Sequence, residues 1–335
     1  MKIDGGIGGL DTAGSAAAAL EAQGYDGVMS AETSHDPFLP LLLAARDTER
    51  VDLMTSIAVA FARSPMTLAQ TAYDLQAASS GRFVLGLGSQ IKPHITRRFS
   101  MPWSHPAARM REMILAIRAI WACWNDGTKL DFRGDFYTHT LMTPFFNPGP
   151  NPHGDARIFL AGVGELMTEV AGEVADGFIC HGFTTRRYMT EVTVPALEKG
   201  RAKAGKTLEG FDISGPMFVV TGRDEAEMDR AAAGVRGQIA FYGSTPAYRK
   251  VLELHGWGDL QDELNRLSKE GRWAEMGALV DDDMLDTFAV VAPLDEVATK
   301  LVERWGDVVT RMSFYAPYET APGQWDAIVA TLRAA

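Results

Sequence analysis

At 335 residues, 46% of them hydrophobic and 22% charged, the chain can bury a large core and has the makeup of an ordinary soluble protein. A net charge of -11 argues against a nucleic-acid partner, because phosphate backbones are met by clustered Lys and Arg. Cys123 and Cys180 are too far apart for a Cys-x-x-Cys site, and the start MKIDGGIGGLD lacks a basic segment followed by an apolar core. A reduced, cytoplasmic protein with no signal peptide and no membrane partner is therefore expected.

Short apolar runs alternate with longer helical patterns along the chain. Lys2–Ile7 reads as a strand, followed by an Ala-rich helix over Asp11–Gln23 that stops at Gly24. Asp26–Ala31 is a second strand. Asp36–Glu49 holds the next helix, with Asp36 as N-cap and Pro37 at its first position. Val51–Ala60 reads as a third strand, Met66–Ala78 as a helix after the turn Arg63-Ser64-Pro65, and Arg82–Gly88 as a fourth strand. Pro106–Trp124 is amphipathic, with Met110, Met113, Ile114, Ile117, Ile120 and Trp121 at three- and four-residue spacing.

Residues 125–156 break this rhythm. They are rich in Gly, Pro, Asn and aromatics, and read as an ordered excursion with one small hairpin. Its Phe132, Tyr137, Phe145 and Phe146, with Trp103, are candidates to wall a pocket. Then follow a strand at Arg157–Gly162, a helix at Glu165–Val174, a strand at Asp176–His181 and a helix within Tyr188–Ala204. Phe211–Thr221 is the seventh strand, with a helix from Asp224. Residues 256–286 read as a polar helical insertion. A helix at Leu294–Trp305, an eighth strand at Val308–Tyr315 and a last helix at Gln324–Arg333 complete the chain.

Eight βα repeats without a linker-like break predict a single domain over 1–335, a closed (β/α)8 TIM barrel with insertions. A doubly wound open sheet is the competing architecture. In either, chemistry sits where strands end, and strands three and four both finish in small polar residues, which let a flat ligand approach the backbone.

No GxGxxG follows any strand, and there is no P-loop, HExxH or GxSxG elbow. Histidine spacing shows no zinc site, and no metal is expected. Ala161-Gly162-Val163-Gly164 ends a strand and opens a helix, which suits a phosphate or simply a tight turn.

Taken together, GRFVLGLGSQ after a Ser-Pro-x-x-Leu-Ala-Gln helix, DGVMSAETSHDPF, RIFLAGVG and ADGFICHGF resemble the luciferase-like monooxygenase superfamily, and within it the deazaflavin-dependent oxidoreductases. The resemblance runs from Met1 to about Tyr318. It implies a TIM barrel with a deazaflavin (coenzyme F420) or FMN across its mouth, and commonly a dimer. It implies a non-proline cis peptide at Ser56-Ile57 beneath the ring, and ring and ribityl contacts at Gly88, Ser89 and Gln90. The cofactor phosphate falls to Gly162, Val163 and Gly164, and an acidic cofactor tail to a loop with Lys92, His94, Arg97 and Arg98. Glu32 matches a common acidic position, but Thr33 stands where many relatives have a histidine base, which leaves His35 or His181 to share the proton chemistry with Glu32. The activity implied is hydride transfer between F420 and a small organic substrate; an FMN-dependent monooxygenase or a non-catalytic flavin-binding barrel are the alternatives.

Overall fold

Alternating apolar runs and amphipathic helices fold as the periodicity predicts. The computed structural model describes residues 1–321 and 323–334. Its strands are β1 Lys2–Gly6, β2 Gly27–Ser30, β3 Asp52–Thr55, β4 Ala58–Val59, β5 Phe83–Gly88, β6 Phe132–Arg133, β7 Thr138–His139, β8 Arg157–Gly162, β9 Gly177–Cys180, β10 Asp212–Val220, β11 Ala289–Val291 and β12 Arg311–Tyr315. β1, β2, β3, β5, β8, β9, β10 and β12 pair in parallel in that order, and β12 returns to β1, so the sheet closes as a (β/α)8 barrel. β6 and β7 form the small hairpin of the excursion.

Two features lie outside the eight-repeat reading. The third strand splits into β3 and β4. β11 is a further parallel strand, paired with the carboxyl half of β10 (Phe218↔Ala289, Val220↔Val291), while β9 takes the amino end of the same edge. The helical insertion also starts before residue 256. Glu225–Gly243 packs with Gly258–Lys269, Trp273–Ala278 and Asp282–Phe288 around a second core that includes Val235, Ile239, Leu264, Met276 and Phe288.

The main core lies between barrel and helices. Met110, Met113, Ile114, Ile117, Ile120 and Trp121 are all fully buried along Pro106–Asp126. The helix Phe38–Asp47 starts one residue later than expected, with Pro37 as its N-cap, while Asp36 just before it accepts the amide N–H of Phe38 at 2.8 Å. Ser64 caps Pro65–Ala78 through the Thr67 amide.

The amino-terminal end of the barrel is sealed by charge. Arg311 and Asp4, both without solvent exposure, form a bidentate pair at 3.0 and 2.6 Å. Asp52 accepts from Arg311 at 2.6 Å, Arg157 at 2.8 Å and Lys2 at 3.1 Å. Burial opposes ionisation of Asp52, but Arg157 and Arg311 outweigh it and hold the carboxyl down at about 2. Among the described residues no helix is long and apolar enough to cross a membrane. Both cysteines are buried free thiols.

Candidate active site

The carboxyl end of the barrel is shaped where β3 meets β5. Met54 pairs with Val84 and Ala58 with Leu87, so Thr55, Ser56 and Ile57 stand opposite only Leu85 and Gly86. The extra residue makes a bulge, and within it the Ser56-Ile57 peptide is cis. Thr55 ties the bulge down: its hydroxyl donates to the Gly86 carbonyl at 2.8 Å and accepts the Gly86 N–H at 2.9 Å. A Cβ at Gly86 would lie 1.8 Å from the Thr55 carbonyl oxygen, and one at Gly88 would lie 2.7 Å from Ile57 Cδ1. Only glycine permits this approach.

Above the bulge lies an apolar floor. Met54, Val84, Phe159 and Ile179 fill the barrel interior, and the partly exposed Met29, Ile57 and Ala161 cover them. Ser89 and Gln90 form the rim beyond Gly88. Gln90 has φ 57°, and the Ser89 hydroxyl donates to its carbonyl at 3.1 Å. Such a floor with a polar rim accepts a flat heteroaromatic ring.

Glu32 follows β2 and is only 8% exposed. One carboxylate oxygen accepts both the Val59 N–H and Arg63 Nη1 at 2.7 Å, and Arg63 reaches Asp36 at 3.1 Å. Glu32 thus ties β2 to the bulge through a charged, hydrogen-bonded pair. His35 is exposed on the loop beyond it.

His181 follows β9 within a ring of phenols. Its Nδ1 accepts the Phe183 N–H at 3.0 Å, and its Nε2 lies 3.2 Å from the Tyr248 hydroxyl. Tyr248 stacks on the imidazole at 4.6 Å, and Tyr242 meets it edge-on at 4.6 Å. The Tyr242 hydroxyl is 2.7 Å from that of Tyr315 at the end of β12. Burial pushes His181 down to about 4, so the imidazole is neutral, and burial pushes Tyr248 up to about 12. Sequence reasoning missed all three tyrosines. Tyr242 and Tyr248 come from the insertion, where neither strand position nor spacing marks them; only Tyr315, ending a predicted strand, carried a signal.

Gly162–Gly164 leads into the helix Glu165–Val174, with Gly164 at φ 82° and no atom within 4 Å of its would-be Cβ. The site is open enough for an anion against the first helical turn. The segment expected as a loop is helical, with Lys92 and Pro93 leading into a π-helix over His94–Arg98, and His94 and Arg97 lie exposed on it. Lys92, His94 and Arg97 have no ion-pair partner among the described residues, whereas Arg98 donates to the Thr33 carbonyl. The aromatics of the excursion divide. Tyr137 is held by Arg109 at 2.9 Å and Trp103 packs edge-on against Phe61, but Phe145 and Phe146 are 89% and 67% exposed and wall nothing. A cavity of about 740 Å³ between Thr185, His255, Val291 and Arg304 contains none of the predicted site residues. Its Arg186 is spent on Asp307, and its Arg304 on the Asp286 carbonyl.

A family model described as luciferase-like monooxygenase matches residues 3–311. The chain belongs to that family. It is 58% identical over 313 residues to the uncharacterized protein Rv1360 of Mycobacterium tuberculosis, covering 93% of this chain and 92% of that one. It is 35% identical over 188 residues to the F420-dependent glucose-6-phosphate dehydrogenase of Beutenbergia cavernae, covering 55% of this chain and 53% of that one. The fold superposes on the coenzyme F420-dependent tetrahydromethanopterin reductase of Methanopyrus kandleri with a TM-score of 0.78 at 19% identity, over 99% and 96% of the two chains. The barrel is thus shared with that structure, and relatives similar to this chain include proteins named as F420-dependent, among them a putative coenzyme F420-dependent oxidoreductase of Mycobacterium tuberculosis at 28% identity.

Proposed function

We propose that this protein is an oxidoreductase that transfers hydride between coenzyme F420 and a small organic substrate. The observation that carries the reading is the charge layout of the mouth. An apolar floor of Met29, Ile57 and Ala161 has the open helix start Gly162–Gly164 as an anion seat, and the chain as a whole presents the unpaired cations of the segment Lys92–Arg98 in spite of its charge of -11. A ring with a phosphate and a polyanionic tail matches those elements. Ser56, Ile57, Gly88, Ser89 and Gln90 would hold the ring, Gly162, Val163 and Gly164 the phosphate, and His94 and Arg97 the tail. Glu32, His35 and His181 would supply the mouth's titratable groups.

When bound, a deazaflavin offers a ring carbon that carries hydride and is a poor partner for oxygen. The protein's part is to orient substrate over that carbon, exclude water and move one proton. The monooxygenase description of the family favours a second reading with FMN, whose phosphate would suit the Gly162–Gly164 seat equally. Titration with F420 and FMN, following ring absorbance, separates the two. F420 binding that weakens with salt supports the first; tight FMN binding with no response to F420 removes it. A homodimer belongs to the same proposal, supported by the outward-facing Leu141, Phe145 and Phe146, 76%, 89% and 67% exposed.

A further inference from the structure

The phenol and imidazole wall has a hydrogen-bond logic that assigns the proton. The Phe183 N–H points at His181 Nδ1, so that nitrogen is the acceptor and the hydrogen of the neutral ring resides on Nε2. With Nδ1 occupied and Nε2 protonated, His181 has no free lone pair with which to act as a base. It offers one donor, and that donor faces the Tyr248 oxygen at 3.2 Å. The Tyr248 oxygen therefore accepts, and its own hydrogen has no acceptor among the described residues. Both rings are partly exposed, as are Tyr242 and Tyr315. The free cations nearby are spent elsewhere: Arg249 on Glu253 and Asp262 at 2.8 and 3.0 Å, and Lys250 on Glu165 at 3.2 Å. The wall thus presents neutral donors and no unpaired charge.

We propose that Tyr248 gives the proton to the substrate oxygen, that the Nε2–H of His181 positions it, and that the substrate in the reducing direction is a neutral aldehyde or ketone. This rests on the oxidoreductase reading above. The carbonyl carbon takes hydride from the reduced deazaflavin, so a C–H bond forms and the carbonyl π pair moves to oxygen. The Tyr248 O–H bond breaks and its proton forms the new alcohol O–H. The phenolate left behind is held by the His181 Nε2–H and regains a proton from water. Substrate gains two electrons and the cofactor loses two. Tyr242 and Tyr315, joined through their hydroxyls, keep one further O–H hydrogen for a second oxygen on the substrate.

The test uses the full chain loaded with reduced F420, a panel of linear and cyclic aldehydes and ketones, and three variants. Tyr248→Phe keeps the stack on His181 and should lower kcat by about 10²–10⁴-fold, leaving the F420 dissociation constant and KM near wild type. His181→Ala should lower kcat about tenfold or more, because a hydrogen bond to a developing phenolate is lost. His181→Gln, which can still present an N–H to Tyr248, should recover most of that loss. Independently of turnover, imidazole 15N NMR should show His181 as the Nε2–H form, unprotonated through about pH 6.5, where a free imidazole titrates. An Nδ1–H form, protonation near that pH, or an unchanged kcat in Tyr248→Phe overturns the proposal. So does wild-type protein that binds F420 but reduces no member of the panel, an outcome that leaves the cofactor reading standing. Failure to bind F420 at all removes the reading beneath it.

Discussion

Replacing Gly86 with alanine tests how the mouth is built. The new Cβ would lie 1.8 Å from the Thr55 carbonyl oxygen, a backbone atom that no side-chain rotation can move. β3 and β5 must part by more than an ångström to relieve the overlap, which takes Thr55 Oγ1 away from the Gly86 N–H and carbonyl it now holds at 2.9 and 2.8 Å. Overpacking in a well-filled core costs about 1–3 kcal/mol, and the two hydrogen bonds add about 1 kcal/mol each. The expected loss is about 3–5 kcal/mol, read from urea unfolding followed by tryptophan fluorescence. Thr55→Val should cost about 2 kcal/mol, since it strips the same two bonds without adding bulk. Gly88→Ala meets the Ile57 side chain, with Cδ1 at 2.7 Å and Cγ1 at 2.9 Å, rather than backbone, and should disturb stability less while displacing the mouth floor. If Gly86→Ala stays within about 1 kcal/mol of wild type, the close approach of β3 and β5 is not what shapes the site.

Three further outcomes follow from the charges. Arg311→Met strands the fully buried Asp4 carboxylate and should destabilise by about 3–5 kcal/mol in the same unfolding assay; a change under about 1 kcal/mol would show that Asp4 is not dependent on it. Asp52, held at about 2 when folded, stabilises by about 2 kcal/mol above its unfolded value near pH 4, and this contribution is lost as pH falls from there towards pH 2. Denaturation across that window should therefore show the gap between wild type and Asp52→Asn closing with acid, and a constant gap would contradict the assignment. Lys92→Glu combined with Arg97→Glu should weaken F420 binding about tenfold at low salt, with the difference fading at high salt; unchanged affinity would detach the tail from this segment.

The barrel was legible because its strands are separate apolar runs, each followed by a helix with its own stop signal. Gly24, Ser64-Pro65 and the glycines at Gly162–Gly164 punctuate the chain where the structure turns. β11 was not legible. Three residues, Ala289–Val291, carry no period of their own and follow directly on the helix Asp282–Phe288. Its pairing depends on β10 being long enough to take β9 at one end and β11 at the other, a tertiary fact with no local mark. The same holds for the site. Ser56, Gly88 and Gly162 lie at strand ends, where a parallel barrel gathers its chemistry. Tyr242 and Tyr248 reach the mouth only because the helical insertion folds over His181, and the buried polarity of Thr55 gains meaning only once Gly86 stands opposite it.

A crystal structure of the protein grown with F420 addresses the central claim most directly. It should show the tricyclic ring lying over Met29, Ile57 and Ala161, its phosphate against the amides of Gly162–Gly164, and its tail towards His94 and Arg97. Electron density for the ring anywhere else, or a floor still bare at saturating F420, would contradict the account.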